Sequence, residues 1–165
     1  MAAVAIDVAP TTEVFSDNLC WLLSKAAHSL TTEMTAGLDG LGVSPRAHCV
    51  LAGAMTGEHT QSELARMVDL DKTTMVVTLD ELEAAGLAER RPSPTDRRAR
   101  VIAVTEAGRR KVNEAEEISE RIRQDVLSVL PPDDREAFLS ALSRLVRERL
   151  SECVECAAPV RRSRG

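Results

Sequence analysis

Thr60–Gly86, TQSELARMVDLDKTTMVVTLDELEAAG, decides the fold. Thr60 and Glu63 stand at the N-cap and N3 positions of a capping box, where each side chain satisfies the other residue's free backbone amide. Leu64, Ala65 and Val68 give the helix that follows a narrow apolar side, and Asp69-Leu70-Asp71 turns the chain. A second helix is predicted from about Lys72 to Ala85, with Met75, Thr78, Leu79 and Leu82 facing inward. Gly86 supplies its stop, since a left-handed backbone costs least without a Cβ. Two short helices joined by a tight turn, the second one longer, form a helix-turn-helix candidate.

Downstream, Leu87–Arg91 and Arg100–Val104 read as two strands around the loop Pro92–Ala99, whose prolines suit an exposed turn. A hairpin with arginines at its tip, placed after a helix-turn-helix, is the layout of a winged helix. Upstream, Ser44-Pro45 reads as an N-cap with proline at the first helical position, opening a short helix through Val50, Leu51 and Met55. Asp39-Gly40-Leu41-Gly42 breaks the chain before it. An apolar spacing of Phe15, Leu19, Leu22, Leu23, Ala26, Ala27 and Leu30 predicts a first helix from Val14 to about Leu38. Thr105-Glu106 starts a long helix carrying Val112, Ala115, Ile118, Ile122, Val126 and Val129, which stops before Pro131-Pro132. A last helix from about Asp133 to Cys153 carries Phe138, Leu142, Leu145, Val146 and Leu150.

The expected fold is therefore mainly α: a winged helix-turn-helix with long N- and C-terminal helices and a two-stranded wing. Residues 44–104 form the predicted DNA-binding part, and 13–43 with 105–156 the predicted dimerisation helices. Residues 1–12 and the basic tail 157–165 read as disordered ends. The long helices exceed what a wing support needs. Their apolar faces call for a partner, which a two-fold homodimer supplies while presenting two recognition helices to a pseudo-palindromic DNA duplex.

Charge points the same way. The chain of 165 residues carries a net −5, yet Ala88–Lys111 holds eight basic residues against three acidic ones. Such a basic island on an acidic body can dock on phosphates. With 44% apolar and 28% charged residues, and no apolar run near the ~18 a membrane span needs, no membrane role is expected. Met1–Glu13 has no Lys or Arg and does not read as a signal peptide, so the expected location is cytoplasmic. Four cysteines in such a chain make no disulfide framework.

No catalytic constellation is present. His28, His48 and His59 sit in no metal-ligand or catalytic spacing, and there is no glycine-rich phosphate loop, no G-x-S-x-G elbow and no tyrosine. His48 and Cys49 are helical neighbours whose side chains point about 100° apart. Neither an enzyme nor a cofactor or metal site is expected.

The runs Gln61-Ser62-Glu63-Leu64-Ala65, Leu70-Asp71-Lys72-Thr73-Thr74 and Leu82-Glu83-Ala84-Ala85-Gly86-Leu87 resemble the MarR family of bacterial winged-helix regulators. Arg90-Arg91-Pro92-Ser93-Pro94-Thr95-Asp96-Arg97-Arg98 and Val104-Thr105-Glu106-Ala107-Gly108-Arg109 continue the resemblance. These motifs span roughly Ser44 to Lys111, in order and at the family's spacing. The resemblance implies a regulator, most simply a repressor of a nearby gene set.

A recognition helix enters the major groove, where each base pair shows a distinct donor and acceptor pattern. Lys72, Thr73, Thr74, Val76, Val77 and Asp80 are the candidates on its outer face, Lys72 for a phosphate. Where the family often carries a basic residue, Val77 stands, which suits contact with thymine methyls. Thr60 and Ser62 are candidate phosphate contacts at the preceding helix. In the wing the resemblance implies that Asp96 orients Arg98 into the minor groove, with Arg97 and Arg91 on phosphates.

Two further readings come with the resemblance, and a third stands against it. A small aromatic effector would sit near Trp21, His28, Cys49 and Met55. Asn18-Leu19-Cys20-Trp21 looks like the family's peroxide-sensing branch, with Cys20 as the oxidisable thiol; the spacing Cys153-Val154-Glu155-Cys156 is equally open to a resolving thiol, to zinc or to neither. From another class, the winged helix is a protein-interaction module without specific DNA binding.

Overall fold

The computed structural model describes residues 15–94, 96 and 99–151. Helix α1 spans Leu19–Leu38. It begins at Leu19 rather than Val14 because Asn18 is an extended N-cap whose Oδ1 accepts the Trp21 amide at 2.9 Å. Phe15 thus lies outside the helix and stacks on Trp21, ring centroids 5.4 Å apart. A single 3-10 turn, Asp39–Leu41, ends at Gly42 with φ +65°, a left-handed geometry that favours glycine.

The winged helix is assembled from local signals. Helix α2, Pro45–Ala54, is capped by Ser44, whose Oγ accepts the Ala47 amide at 3.1 Å. Helix α3, Gln61–Met67, opens on the complete Thr60–Glu63 capping box. Helix α4, Lys72–Ala84, is capped by Asp71, and Gly86 at φ +69° releases the chain into the wing.

Strands β1, Ala88–Pro92, and β2, Arg100–Val104, pair antiparallel with Arg90 opposite Ile102. Pro92 closes β1 instead of opening the loop, which a proline can do at the end of a two-stranded ribbon where no ladder donor is needed. On the far side of β2, Thr60 bridges Val101, and the Ile102 amide donates to the His59 carbonyl at 2.9 Å. The α2–α3 loop thereby runs along the outer edge of β2.

These elements close over one core. Val50, Leu51, Leu64, Met75, Leu79 and Leu82 are buried with Leu87, Ile102, Val104 and Val112. Thr78, inward as predicted, is also buried and donates its hydroxyl to the Thr74 carbonyl at 2.8 Å.

Helix α5, Glu106–Leu127, starts where Thr105 Oγ1 accepts the Gly108 amide at 3.0 Å and donates to the Gly86 carbonyl at 2.7 Å. A Cβ at Gly108 would collide with the Leu87 carbonyl, so only glycine allows this approach of helix to strand. Gly37 on α1 similarly faces Ile118 and Ile122 of α5, at about the closest distance a Cβ tolerates.

Two compact units make up the chain, residues 1–122 and 123–165. In the second, α5 ends at Leu127. Val129, expected on the helix, lies in the following turn and is 84% exposed. Arg135 closes that turn by donating to the Leu130 carbonyl at 3.0 Å. Helix α6, Pro132–Glu148, has proline at its first position. It stops short of Cys153 because the Arg149 and Leu150 amides both fold back on the Leu145 carbonyl. The expected disordered ends 1–12 and 157–165, with Cys153 and Cys156, lie outside the described residues. Among the described residues no helix is long and apolar enough to cross a membrane.

Candidate nucleic-acid interface

Helix α4 gets its first turn from Asp71. One carboxylate oxygen accepts the Thr74 amide at 2.9 Å and the other accepts the Thr74 hydroxyl at 2.5 Å. These hydrogen bonds to the ionised form hold the Asp71 carboxyl below the usual carboxylate range. They also engage Thr74, so of the two threonines proposed from sequence it is Thr73 that stands exposed at the start of the helix. Lys72 is exposed beside it, Val76 is half-buried, and Val77 is 50% exposed one turn on.

Asp80, also on the outer side, is not free. The Arg90 guanidinium reaches across from β1, placing Nη2 2.8 Å from Asp80 Oδ1 while Nη1 meets the Glu83 carboxylate. Glu83 accepts the Arg90 backbone amide as well, at 2.8 Å. That amide points away from β2, since Arg90 lies opposite Ile102, whose own amide points outward to His59. Without Glu83 it would be an orphan donor on a sheet edge.

At α3, the Thr60 hydroxyl is committed to its capping box, donating to Glu63 Oε2 at 2.8 Å and accepting the Glu63 amide at 3.3 Å. The Thr60 backbone amide, donating to Glu63 Oε2 at 2.7 Å, and after it the Thr60 hydroxyl hold the Glu63 carboxyl below its usual range. Ser62 is exposed. It joins Gln61, Arg66, Lys72 and Met75 around a cleft of about 230 Å³ between α3 and α4. Arg66 was missed by sequence reasoning, although its place four residues after Ser62 puts both on one helix face.

In the wing, Arg91 is exposed and paired with Glu89. The tip is shaped by backbone bonds, Ala99 amide to Asp96 carbonyl and Ser93 amide to Ala99 carbonyl, both 3.0 Å. The Asp96 amide donates to Ser93 Oγ at 3.3 Å. Arg97 and Arg98 lie outside the described residues.

Of the four effector candidates, Trp21 and His28 lie on α1, Cys49 on α2 and Met55 at the end of α2. Trp21 is stacked on Phe15, and His28 lines a shallow concavity along α1 with Thr31, Thr32 and Thr35. Met55 lines a different groove, at the wing base with Arg91, Pro92 and Arg109. Cys49 lies on the solvent side of α2, where partial desolvation raises its thiol pKa and disfavours the thiolate. Cys20 is exposed on the first turn of α1. Among the described residues no group of three or more His, Cys, Asp and Glu could hold a metal ion. His48 is buried and sets its Nε2 3.4 Å from a Glu116 carboxylate oxygen, a contact between α2 and α5 that sequence reasoning did not find.

Comparison with known proteins agrees with this geometry. Residues 41–99 match the sequence model of the MarR family. The HTH-type transcriptional regulator YdgJ of Bacillus subtilis is 27% identical over 88 residues, 53% of this chain and 54% of that protein. The matched segment thus spans just over half of that relative. The repressor CouR of Rhodococcus jostii RHA1, solved with p-coumaroyl-CoA, superposes with a TM-score of 0.73 at 27% identity, covering 86% of this chain and 98% of that one. CouR bound to a 23-mer DNA duplex gives a TM-score of 0.75 at 26% identity, covering 82% and 97%.

Proposed function

Through residues 41–99 the chain belongs to the MarR family of transcriptional regulators, and from that premise we propose that it is a homodimeric repressor of a nearby gene set. It acts in the cytoplasm on a pseudo-palindromic duplex and is released by a small ligand. One observation carries this reading: a capped recognition helix that leaves Thr73 and Val77 uncovered and is fastened to a strand leading into an arginine-rich wing. Residues 44–104 are the DNA-binding part, while 13–43 and 105–156 build the dimer.

In this reading Thr73, Val76 and Val77 meet bases in the major groove, with Val77 against thymine methyls. Lys72, Ser62 and Arg66 around the α3–α4 cleft, together with Arg91 and Arg97, take phosphates. Asp96 orients Arg98 into the minor groove. Thr60 and Thr74 serve the interface by holding helix starts, their hydroxyls being bound to Glu63 and Asp71. CouR binds both a DNA duplex and p-coumaroyl-CoA, which supports release by an aromatic compound and makes aromatic acyl thioesters the first ligands to try.

The test is selection of binding sites from a random duplex pool with the purified full-length protein. An enriched palindrome is expected, with an affinity that falls with salt by a log–log slope of about −0.9 per neutralised phosphate. No enrichment at low salt would mean that the winged helix serves protein partners. Repeating the selection with oxidant asks whether Cys20 is the sensor. Loss of the palindrome, restored by reductant, would replace the ligand with a redox signal.

A further inference from the structure

Arg90 holds more of this molecule together than its place in a basic island suggests. Its guanidinium forks over two carboxylates one turn apart on α4, Asp80 and Glu83, while its backbone amide is taken by Glu83. Its side chain is 28% exposed, so the arginine is largely spent inside the protein and is not a free cation for phosphates. Both anchors are on the helix that offers Thr73 and Val77, and the strand holding Arg90 leads directly to the wing tip. The fork is therefore a rigid link between the element that faces the major groove and the element that reaches the minor groove.

We propose that Arg90 is a positioning residue that makes recognition helix and wing one reading unit, and that Asp80 serves as its anchor rather than as a reader of bases. This inference rests on the DNA-binding reading above.

Two consequences follow from the chemistry. A bare carboxylate at Asp80 would repel nearby phosphates or accept a hydrogen bond from cytosine N4. With Oδ1 held at 2.8 Å by a guanidinium, its charge is partly offset and one oxygen is engaged, which weakens both effects. Arginine is also required as such, because a lysine is a compact point charge that cannot fork across two carboxylates. Loss of the fork leaves α4 in its cap and core but frees the angle between helix and wing. Positions under α4 then keep their base preference, while positions under the wing lose theirs.

The test compares wild type, R90Q and R90K by binding-site selection, by affinity for the wild-type site and for unrelated duplex, and by thermal unfolding. R90Q is expected to lower the ratio of specific to non-specific affinity about tenfold, the size of one lost base contact. Its selected sequence should keep the positions beneath the recognition helix and blur at the flanks. R90K, which retains the charge should R90Q fold poorly, is expected to fall between the two.

Four results would overturn the proposal. In one, both affinities drop together, as a merely structural role predicts. In another, the flanks stay sharp in R90Q. In a third, R90K matches wild type throughout. Wild type that enriches no sequence would instead sink the regulator reading, and the DNA role of Arg90 with it. Enrichment by wild type with an unchanged ratio in R90Q sinks the positioning role alone.

Discussion

Helices α1 and α2 treat their apolar residues in opposite ways. Helix α2 is ten residues long and buries six of them, Val50 and Leu51 almost completely. Helix α1 is twice as long and buries one, Leu38, leaving Leu19, Leu22 and Leu30 between 38% and 59% exposed. The winged helix completes its core within the chain. Helix α1 does not, and exposed apolar area of that kind is what a second copy removes from water in the dimer proposed above. If that dimer forms, one sequence codes for two kinds of stability, one intrinsic and one borrowed from assembly.

The largest expected effect attacks the intrinsic kind. Leu79 is fully buried between α4 and the rest of the core, so Leu79→Ala removes transfer energy and leaves a cavity. A loss of about 2–5 kcal/mol in denaturant unfolding is expected. A cost below about 1 kcal/mol would mean that the core is not the closed unit described. The next effect attacks the borrowed kind. Leu19→Lys with Leu22→Lys alters one exposed stripe of α1. Light scattering should show dimer association weakened more than tenfold, since each leucine covered by a partner contributes about 1.5–3 kcal/mol. Winged-helix unfolding of the separated monomers should change little. An intact dimer would place the partner contact elsewhere.

Legibility from sequence divides along the same line. In the winged helix the ends are written in neighbouring residues: Ser44-Pro45, the Thr60–Glu63 box and Gly86 each act within one turn, and each sits where pattern reasoning placed it. For α1, the apolar spacing of Phe15 and Leu19 ran through Asn18 and hid the cap, because periodicity marks a face and not an end. The interface shows a second limit. A helical wheel puts Asp80 outside and Thr74 at the edge of the outer face, but cannot tell that Asp71 captures one and Arg90 the other. The Arg90 contacts depend on the register of β1 beside α4, seven and ten residues away in sequence, and no local pattern encodes that.

Caps sharpen the comparison further. Ser44→Ala removes the acceptor of the Ala47 amide at the start of α2, inside the cooperative unit, and is expected to lower its stability by about 1 kcal/mol. Asn18→Ala removes the equivalent bond at α1, where fraying costs no core contact. Circular dichroism should then show a small loss of helix with the main unfolding transition unmoved. A shift of that transition equal to the one in Ser44→Ala would show that the first turn of α1 belongs to the cooperative unit.

The smallest effect is a pH dependence confined to the winged helix. Glu63 and Asp71 cap α3 and α4 through their carboxylates, and hydrogen bonds from Thr60 and Thr74 lower both pKa values. A group whose folded pKa is depressed stabilises fully above its unfolded pKa, and this contribution is lost as pH falls through the folded value. Stability should therefore hold from neutrality to about pH 5 and decline below about pH 4, the ordinary carboxylate range. Both carboxylates face solvent, which keeps the effect modest and sensitive to salt. In Glu63→Gln with Asp71→Asn the acid decline of the urea midpoint should flatten. Asn18, the corresponding cap of α1, is an amide without a titration in this range, so α1 gives the internal control. A decline as steep in the double variant as in wild type would assign the acid sensitivity to other carboxylates and leave these two caps without a measurable charge-dependent role.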